Sequence, residues 1–178
     1  MEKYPLAPAN TGSPRTTLKS FIEAIDTAYQ LYISGQKKTK EIDYYGYRAI
    51  RCLDLSKVAP SVLEDVGIES VLLLKEVLDR IGIPPFEEIP DRAAMKEKEF
   101  RKWVIPHTEI TIARVEKGPR QGEFLFTAET VKRLKSFYQR VKHMPYKPGS
   151  SVGVYNEYIM GSGWMIPGHL LHALPQFF

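Results

Sequence analysis

The most constraining feature of this sequence is a long apolar face that follows the dipeptide Ser13-Pro14. A serine hydroxyl can cap a helix, and proline is favoured at the first helical position. The apolar residues that follow recur every three or four positions: Leu18, Phe21, Ile22, Ile25, Ala28, Tyr29 and Tyr32. This spacing predicts one amphipathic helix that ends near Gly35 and buries its face against other elements.

A second apolar stripe predicts a helix at the centre of the core, from Pro60 to Ile81. Gly82 is a plausible C-terminal cap for it, and the prolines that follow prevent its continuation. Between the two stripes, residues 40–53 form a tyrosine-rich segment with helical spacing. The apolar stripe of residues 60–81 is wide, which indicates that this helix has neighbours on more than one side. Its members are Leu63, Val66, Gly67, Ile68, Val71, Leu72, Leu74, Leu78 and Ile81.

The periodicity changes after residue 102. Residues 103–105, 109–115 and 123–126 are rich in β-branched and aromatic side chains and predict short strands. A glycine-containing turn at 117–122 joins the last two strands, and Thr127 can cap a helix that runs to about Lys142. The predicted fold class is therefore α+β, with N-terminal helices, a small antiparallel β-hairpin sheet, a further helix and an apolar C-terminal tail.

The charges are unevenly distributed along the 178 residues. Residues 1–91 hold 11 Lys or Arg against 14 Asp or Glu, whereas residues 92–147 hold 14 against 6. Residues 148–178 carry one charged side chain, Glu157. The distribution indicates regions that meet different surroundings. We expect a soluble α+β domain at 1–147 and a Gly- and aromatic-rich tail at 148–178 that leads towards a membrane segment absent from this chain.

The basic region offers candidate contacts for an anionic surface. Tyrosine and phenylalanine are interleaved with the charges, as in many nucleic-acid-binding proteins. No nucleic-acid motif accompanies them, so nucleic acid is the least favoured of three explanations; the others are an anionic lipid or polymer and simple solubility. The candidates are Lys117, Arg120, Lys132, Arg133, Lys135, Arg140 and Lys142.

The tail offers candidate membrane-proximal residues. Tryptophan favours the membrane interface, and Glu157 is the single charge opposing an approach to lipid. No apolar run reaches the roughly 18 residues that predict a membrane span. The candidates are Trp164, Ile166, Leu170, Leu171, Phe177 and Phe178.

The sequence lacks the motifs of common catalytic sites. We find no phosphate-binding loop, dinucleotide fingerprint or nucleophile elbow. His169 and His172 share a helical spacing but lack a third metal ligand nearby, and Cys52 follows an apolar pattern that favours buried packing. We therefore expect no enzyme activity, no cofactor, no metal site and no catalytic residue.

Seven stretches resemble the N-terminal, pre-membrane region of some larger members of the small-conductance mechanosensitive ion channel family. They are YPLAP at 4–8, SPR at 13–15, RCLDLS at 51–56, LLKEVLDRI at 73–81, IPHTEI at 105–110, GEFLF at 122–126 and MIP at 165–167. The resemblance implies a bacterial accessory domain on the periplasmic side of the inner membrane. It would tune the assembly or gating of a homo-oligomeric channel, joined to the membrane by the missing C-terminal continuation.

That family's membrane helices, pore helix and cytoplasmic vestibule have no counterpart in this sequence. No functional residue can therefore be transferred from the family's pore to this chain. The alternative left open is a stand-alone binding module for an anionic ligand, such as a lipid surface, a polymer or a nucleic acid.

Overall fold

The computed structural model describes residues 7–35, 40–160 and 164. Within these residues the predicted α+β class is confirmed, with helices packed around a three-stranded antiparallel sheet. The helices are α1 Pro14–Ile33, α2 Lys40–Ile50, α3 Leu63–Ile81, α4 Arg92–Glu97, α5 Ala128–Val141 and α6 Val154–Met160. The strands are β1 Lys102–Val104, β2 Thr111–Arg114 and β3 Phe124–Phe126.

Helix α1 begins where its capping residues predict. The Ser13 side chain accepts a hydrogen bond from the backbone N–H of Thr16, and the Thr16 hydroxyl accepts one from the backbone N–H of Ser13. Two of the N–H groups that a helix start leaves without partners are thereby satisfied. Leu18, Phe21 and Ile25 are fully buried, and the helix packs mainly against α2. The predicted apolar face is thus confirmed as core.

Helix α3 is the central element, as its wide stripe predicts. It contacts α1, α2, α5 and α6, and both Val71 and Leu74 are fully buried. The helix ends at Gly82, which has a φ of +75° and a backbone N–H bonded to the Leu78 carbonyl. The first predicted turn differs, since Pro60–Val62 forms a 3-10 turn before the α-helix proper.

The sheet joins the helical layer through its edge strand β3. Strand β2 is central, pairing Trp103 with Ile112 on one side and Ile112 with Phe126 on the other. The backbone of Phe126 exchanges hydrogen bonds with the chain after α2, accepting from Asp54 and donating to Cys52. The rings of Phe126 and Phe21 meet edge to face, with centroids 5.6 Å apart. The core therefore lies between α1, α3 and the sheet.

Two short helices lie where the sequence predicts no defined element. Helix α4 lies between α3 and β1, is capped by Asp91 and is anchored by the buried Met95. Helix α6 lies within the predicted tail. Among the described residues, no helix has the length and apolar character that crossing a bilayer requires.

Candidate functional site

The described part of the predicted tail packs on the domain as a strap, by which we mean residues 146–160 and 164. Helix α6 lies against α3, and the Tyr29 hydroxyl of α1 donates to the Val152 carbonyl at 2.9 Å. Trp164 is 3% exposed, and its indole N–H donates to the Val154 carbonyl at 3.0 Å. Its ring lies 5.2 Å from that of Tyr29. The strap is therefore continuous with the core formed by α1 and α3.

A buried lysine forms the first half of the attachment between strap and core. Lys75 of α3 is 1% exposed, and its Nζ lies 2.6 and 2.7 Å from the two carboxylate oxygens of Asp79. The same Nζ lies 2.8 Å from Asp26 Oδ1 of α1. The Ser151 hydroxyl of the strap donates to Asp26 at 2.6 Å, and its backbone N–H donates to Asp79 at 3.3 Å. One cation thus links α1, α3 and the strap.

A buried carboxylate forms the second half. Glu76 accepts a hydrogen bond from the Tyr146 hydroxyl at 2.7 Å and another from the Tyr155 backbone N–H at 3.0 Å. It also pairs with Arg80, whose guanidinium lies 4.0 Å from the centroid of the Tyr146 ring. We call the combined network the clasp. Its members are Asp26, Lys75, Glu76, Asp79, Arg80, Tyr146, Ser151 and Tyr155.

The electrostatics of the clasp follow from its burial. Burial raises the pKa of Asp79 above its ordinary value, although the charge of Lys75 opposes this. Burial and the hydrogen bond to Glu76 raise the pKa of Tyr146. Burial and the hydrogen bond to Glu69 raise the pKa of Tyr155 to about 12. Buried charges are tolerated when each has a hydrogen-bonded partner of opposite sign. The arrangement suits holding the strap in one position.

Most of the predicted basic residues lie on the surface. Lys117 is exposed in the hairpin turn, and Lys132, Lys135, Arg140 and Lys142 are exposed on or next to α5. Lys132 and Lys135 line one cavity with Glu69 and Glu129, and the acid Glu109 engages two arginines of the helix. Arg133 holds it in a two-point pair at 2.9 and 2.8 Å, and Arg140 lies 3.8 Å away. The hydrogen bonds from Arg133 lower the pKa of Glu109.

Arg120 does not lie on that surface, which corrects its place among the predicted anionic-surface contacts. It is 5% exposed, its Nε lies 2.8 Å from Glu123, and its Nη2 donates to the Arg51 carbonyl at 2.6 Å. The tight turn reverses the chain at Gly118 and Gly122, both with φ near +90°, and brings Arg120 next to the end of α2. Its role is to attach the hairpin to α2.

The predicted membrane-proximal residues have different outcomes. Trp164 packs inside, between the strap and α1, so its ring does not face outward. The other members of the set, namely Ile166, Leu170, Leu171, Phe177 and Phe178, lie outside the described residues.

Three cavities lie on the described surface. One of about 820 Å³, between α3 and the start of α5, is lined by Lys57, Lys132 and Lys135. A cleft of about 1020 Å³ lies between α4 and the β-strands, and it is lined by four cations that the sequence reasoning did not select, Arg92, Lys96, Arg101 and Arg114. A smaller, mainly apolar pocket of about 360 Å³ lies between α3, α5 and the loop at His107. A signal for the cleft exists in sequence, because Arg92 and Lys96 are one helical turn apart.

The described residues contain no cluster of three or more His, Cys, Asp or Glu side chains placed to hold a metal ion. The prediction that Cys52 is a packing residue is confirmed, since it is fully buried and its burial raises the pKa of the thiol to about 12. Such a thiol is mostly protonated at neutral pH and is a poor nucleophile.

Comparison with known proteins gives no match to this chain among family models, curated proteins or solved structures. The clasp and the cleft between α4 and the β-strands, called the α4 cleft below, are the two features of the described residues that bear on function.

Proposed function

We propose that this chain is a non-enzymatic accessory domain on the extracytoplasmic side of a mechanosensitive ion channel, where it tunes assembly or gating. The observation that carries the proposal is the clasp, which fastens the strap to the two central helices α1 and α3. The seven stretches that resemble the pre-membrane region of that channel family supply the identity of the partner. The domain would act as part of a homo-oligomer through the channel to which it is joined.

The ends of a domain fray at little free-energy cost unless side chains hold them. Here, pulling the strap away would break hydrogen bonds to Asp26, Glu76 and Asp79 together, and these three carboxylates would lose the neutral donors that the strap supplies. A force applied to the chain beyond Trp164 would therefore reach α1 and α3 instead of being lost in a loose tail.

A test of location and size uses an antibody raised against this chain. We expect immunoblots of fractionated native cells to show a band larger than the 178-residue chain, in the membrane fraction. We expect protease added to spheroplasts to remove the epitope, since the domain would face the periplasm. A band of the chain's own size in the soluble fraction would contradict the proposal.

A test of gating uses patch-clamp recording of the native-length protein. Lys75→Met breaks the clasp, and Lys19→Met removes an exposed lysine of α1 that is 3.8 Å from the exposed Glu23. We expect the first change to shift the membrane tension that opens the channel and the second to leave it unchanged. Identical tension thresholds for wild type and both variants would refute a role for the clasp in gating.

A further inference from the structure

The α4 cleft brings together four cationic side chains from two separate parts of the fold. Arg92 and Lys96 come from α4, whereas Arg101 and Arg114 come from the paired ends of β1 and β2. The space is open to solvent on one side, with Met95 and Phe124 among its apolar lining. Its volume of about 1020 Å³ is in the range of small-molecule sites.

The sheet places two of these cations directly opposite each other. The Arg114 backbone N–H donates to the Arg101 carbonyl at 2.8 Å, which continues the register that pairs Lys102 with Ala113. Opposite residues of an antiparallel pair have Cβ atoms about 4.5–5.5 Å apart, and like charges at such positions are destabilising. The chain therefore carries an unfavourable arginine pair at this edge of the cleft.

Helix α4 adds a second pair of like charges. Arg92 and Lys96 are four residues apart, so their side chains are neighbours on one helix face, where like charges repel. Both residues are exposed, and both line the cleft. Two unfavourable pairs that face one space indicate that an anion stabilises the site when it is bound.

The acids of the cleft do not neutralise these cations. Glu123 is already engaged by Arg120 at 2.8 Å and by the Thr11 hydroxyl at 2.7 Å. Arg101 has one exposed partner, Glu116, at 3.6 Å, and Glu99 lines the wall without an ion pair among the described residues. The lining therefore keeps an excess of positive charge.

We propose that the α4 cleft binds a phosphate group carried by an organic molecule. A phosphate monoester carries about −1.5 to −2 charges at neutral pH, which matches the excess positive charge of the lining. Arginine forks bind phosphate oxygens in two-point contacts, so the paired Arg101 and Arg114 suit this anion. The rim carries Phe100, a 53% exposed aromatic ring that can cover the organic part of the ligand. This site is separate from the clasp and does not depend on the proposed function.

The phosphate could come from a soluble ester or from a lipid headgroup, and the experiment separates these sources. The full 178-residue chain is titrated by calorimetry with inorganic phosphate and with glycerol phosphate. It is also sedimented with phosphatidic acid vesicles, whose headgroup is a phosphate monoester, and with phosphatidylcholine vesicles. Binding to the soluble ester alone identifies a soluble ligand, and binding to phosphatidic acid alone identifies a headgroup. Either result supports the site.

Matched variants test whether the cleft is responsible. The double change Arg101→Gln and Arg114→Gln removes two charges from the cleft, and the control Lys132→Gln and Lys142→Gln removes two exposed charges from the α5 region. We expect the cleft variant to weaken binding at least about tenfold. The control should change it less than about twofold.

A stability measurement adds an arm that does not need a measured affinity. A ligand that binds only the folded state raises the melting temperature, so the phosphate compound that binds should raise it for the wild type and the control but not for the cleft variant. The absence of binding to the soluble phosphates and to the anionic vesicles alike, or an equal loss in the cleft variant and the control, would overturn the proposal. Neither result would alter the fractionation test of the channel function.

Discussion

Replacing Lys75 with methionine should destabilise the domain by about 3 kcal/mol at neutral pH, near the lower end of the range for breaking a buried ion pair. The change keeps the apolar stem of the side chain and removes the ammonium that lies within 2.8 Å of Asp26 and Asp79. Asp79 is largely buried and would keep an uncompensated charge. The side chain of Asp26 is 34% exposed, so water can partly replace its lost partner, which places the expected loss near the lower end of the range.

The assay is urea denaturation followed by tryptophan fluorescence. Trp164 packs against Tyr29 and Trp103 lies in β1, so the combined emission reports both the strap and the sheet. A loss of this size should also lower the melting temperature by roughly 6–12 °C for a domain of this length. The control is Lys19→Met, whose lysine is exposed and forms a surface pair with Glu23, and it should change stability by less than about 0.5 kcal/mol.

A pH series separates the charge effect from a packing effect. Burial already raises the pKa of Asp79, and without Lys75 that pKa should rise further. Protonation in the folded state then becomes easier than in the unfolded chain, so the loss caused by Lys75→Met should shrink as the pH falls. A loss below about 1 kcal/mol at neutral pH, or a loss independent of pH, would refute the electrostatic account of the clasp.

Three further changes test other parts of the structure by urea unfolding. Leu74→Ala should lose about 2–5 kcal/mol because the side chain is fully buried in α3, and a loss below about 0.5 kcal/mol would contradict that position. Trp164→Ala should lose about 3–5 kcal/mol, and an unchanged stability would contradict the packing of the strap. Glu123→Gln tests the pair with Arg120. Burial favours the protonated form, but the bonds from Arg120 and Thr11 outweigh it and lower the pKa of Glu123 below 4.5. The stabilisation that the Arg120–Glu123 pair gives the wild type should be complete above pH 4.5 and should disappear as the pH falls through the lower pKa of Glu123 in the folded state. A stability difference between wild type and Glu123→Gln that stays constant with pH would refute this account of the pair.

The sequence alone was sufficient for the elements whose signals are local. The caps at Ser13 and Thr127 and the apolar spacing after them predict α1 and α5 close to their observed starts. The alternation and the glycine turn predict the β2–β3 hairpin. Each of these signals is contained within a few residues, so it identifies the element without knowledge of the rest of the fold.

The α4 cleft required the tertiary structure. Arg101 and Arg114 are separated by a turn in sequence, and only the strand register places them opposite each other. The position of Arg120 also required the tertiary structure. In sequence it resembles a surface charge of a basic hairpin, but the turn directs its side chain towards the Arg51 carbonyl. Burial of a charge depends on what covers it, and the covering chain comes from elsewhere in the sequence.

The clasp shows the limit most clearly. In sequence, Lys75 and Glu76 are ordinary charged positions within the apolar stripe of α3. They become buried because α1 covers the helix on one side and the strap covers it on another, with Tyr155 bonding to Glu76 across 79 residues. The width of the apolar stripe indicates that α3 has neighbours on more than one side, but it does not say which segments they are or which polar groups they bring. The identity of those neighbours, and with it the environment of each charge, was decided by the packing of the whole chain.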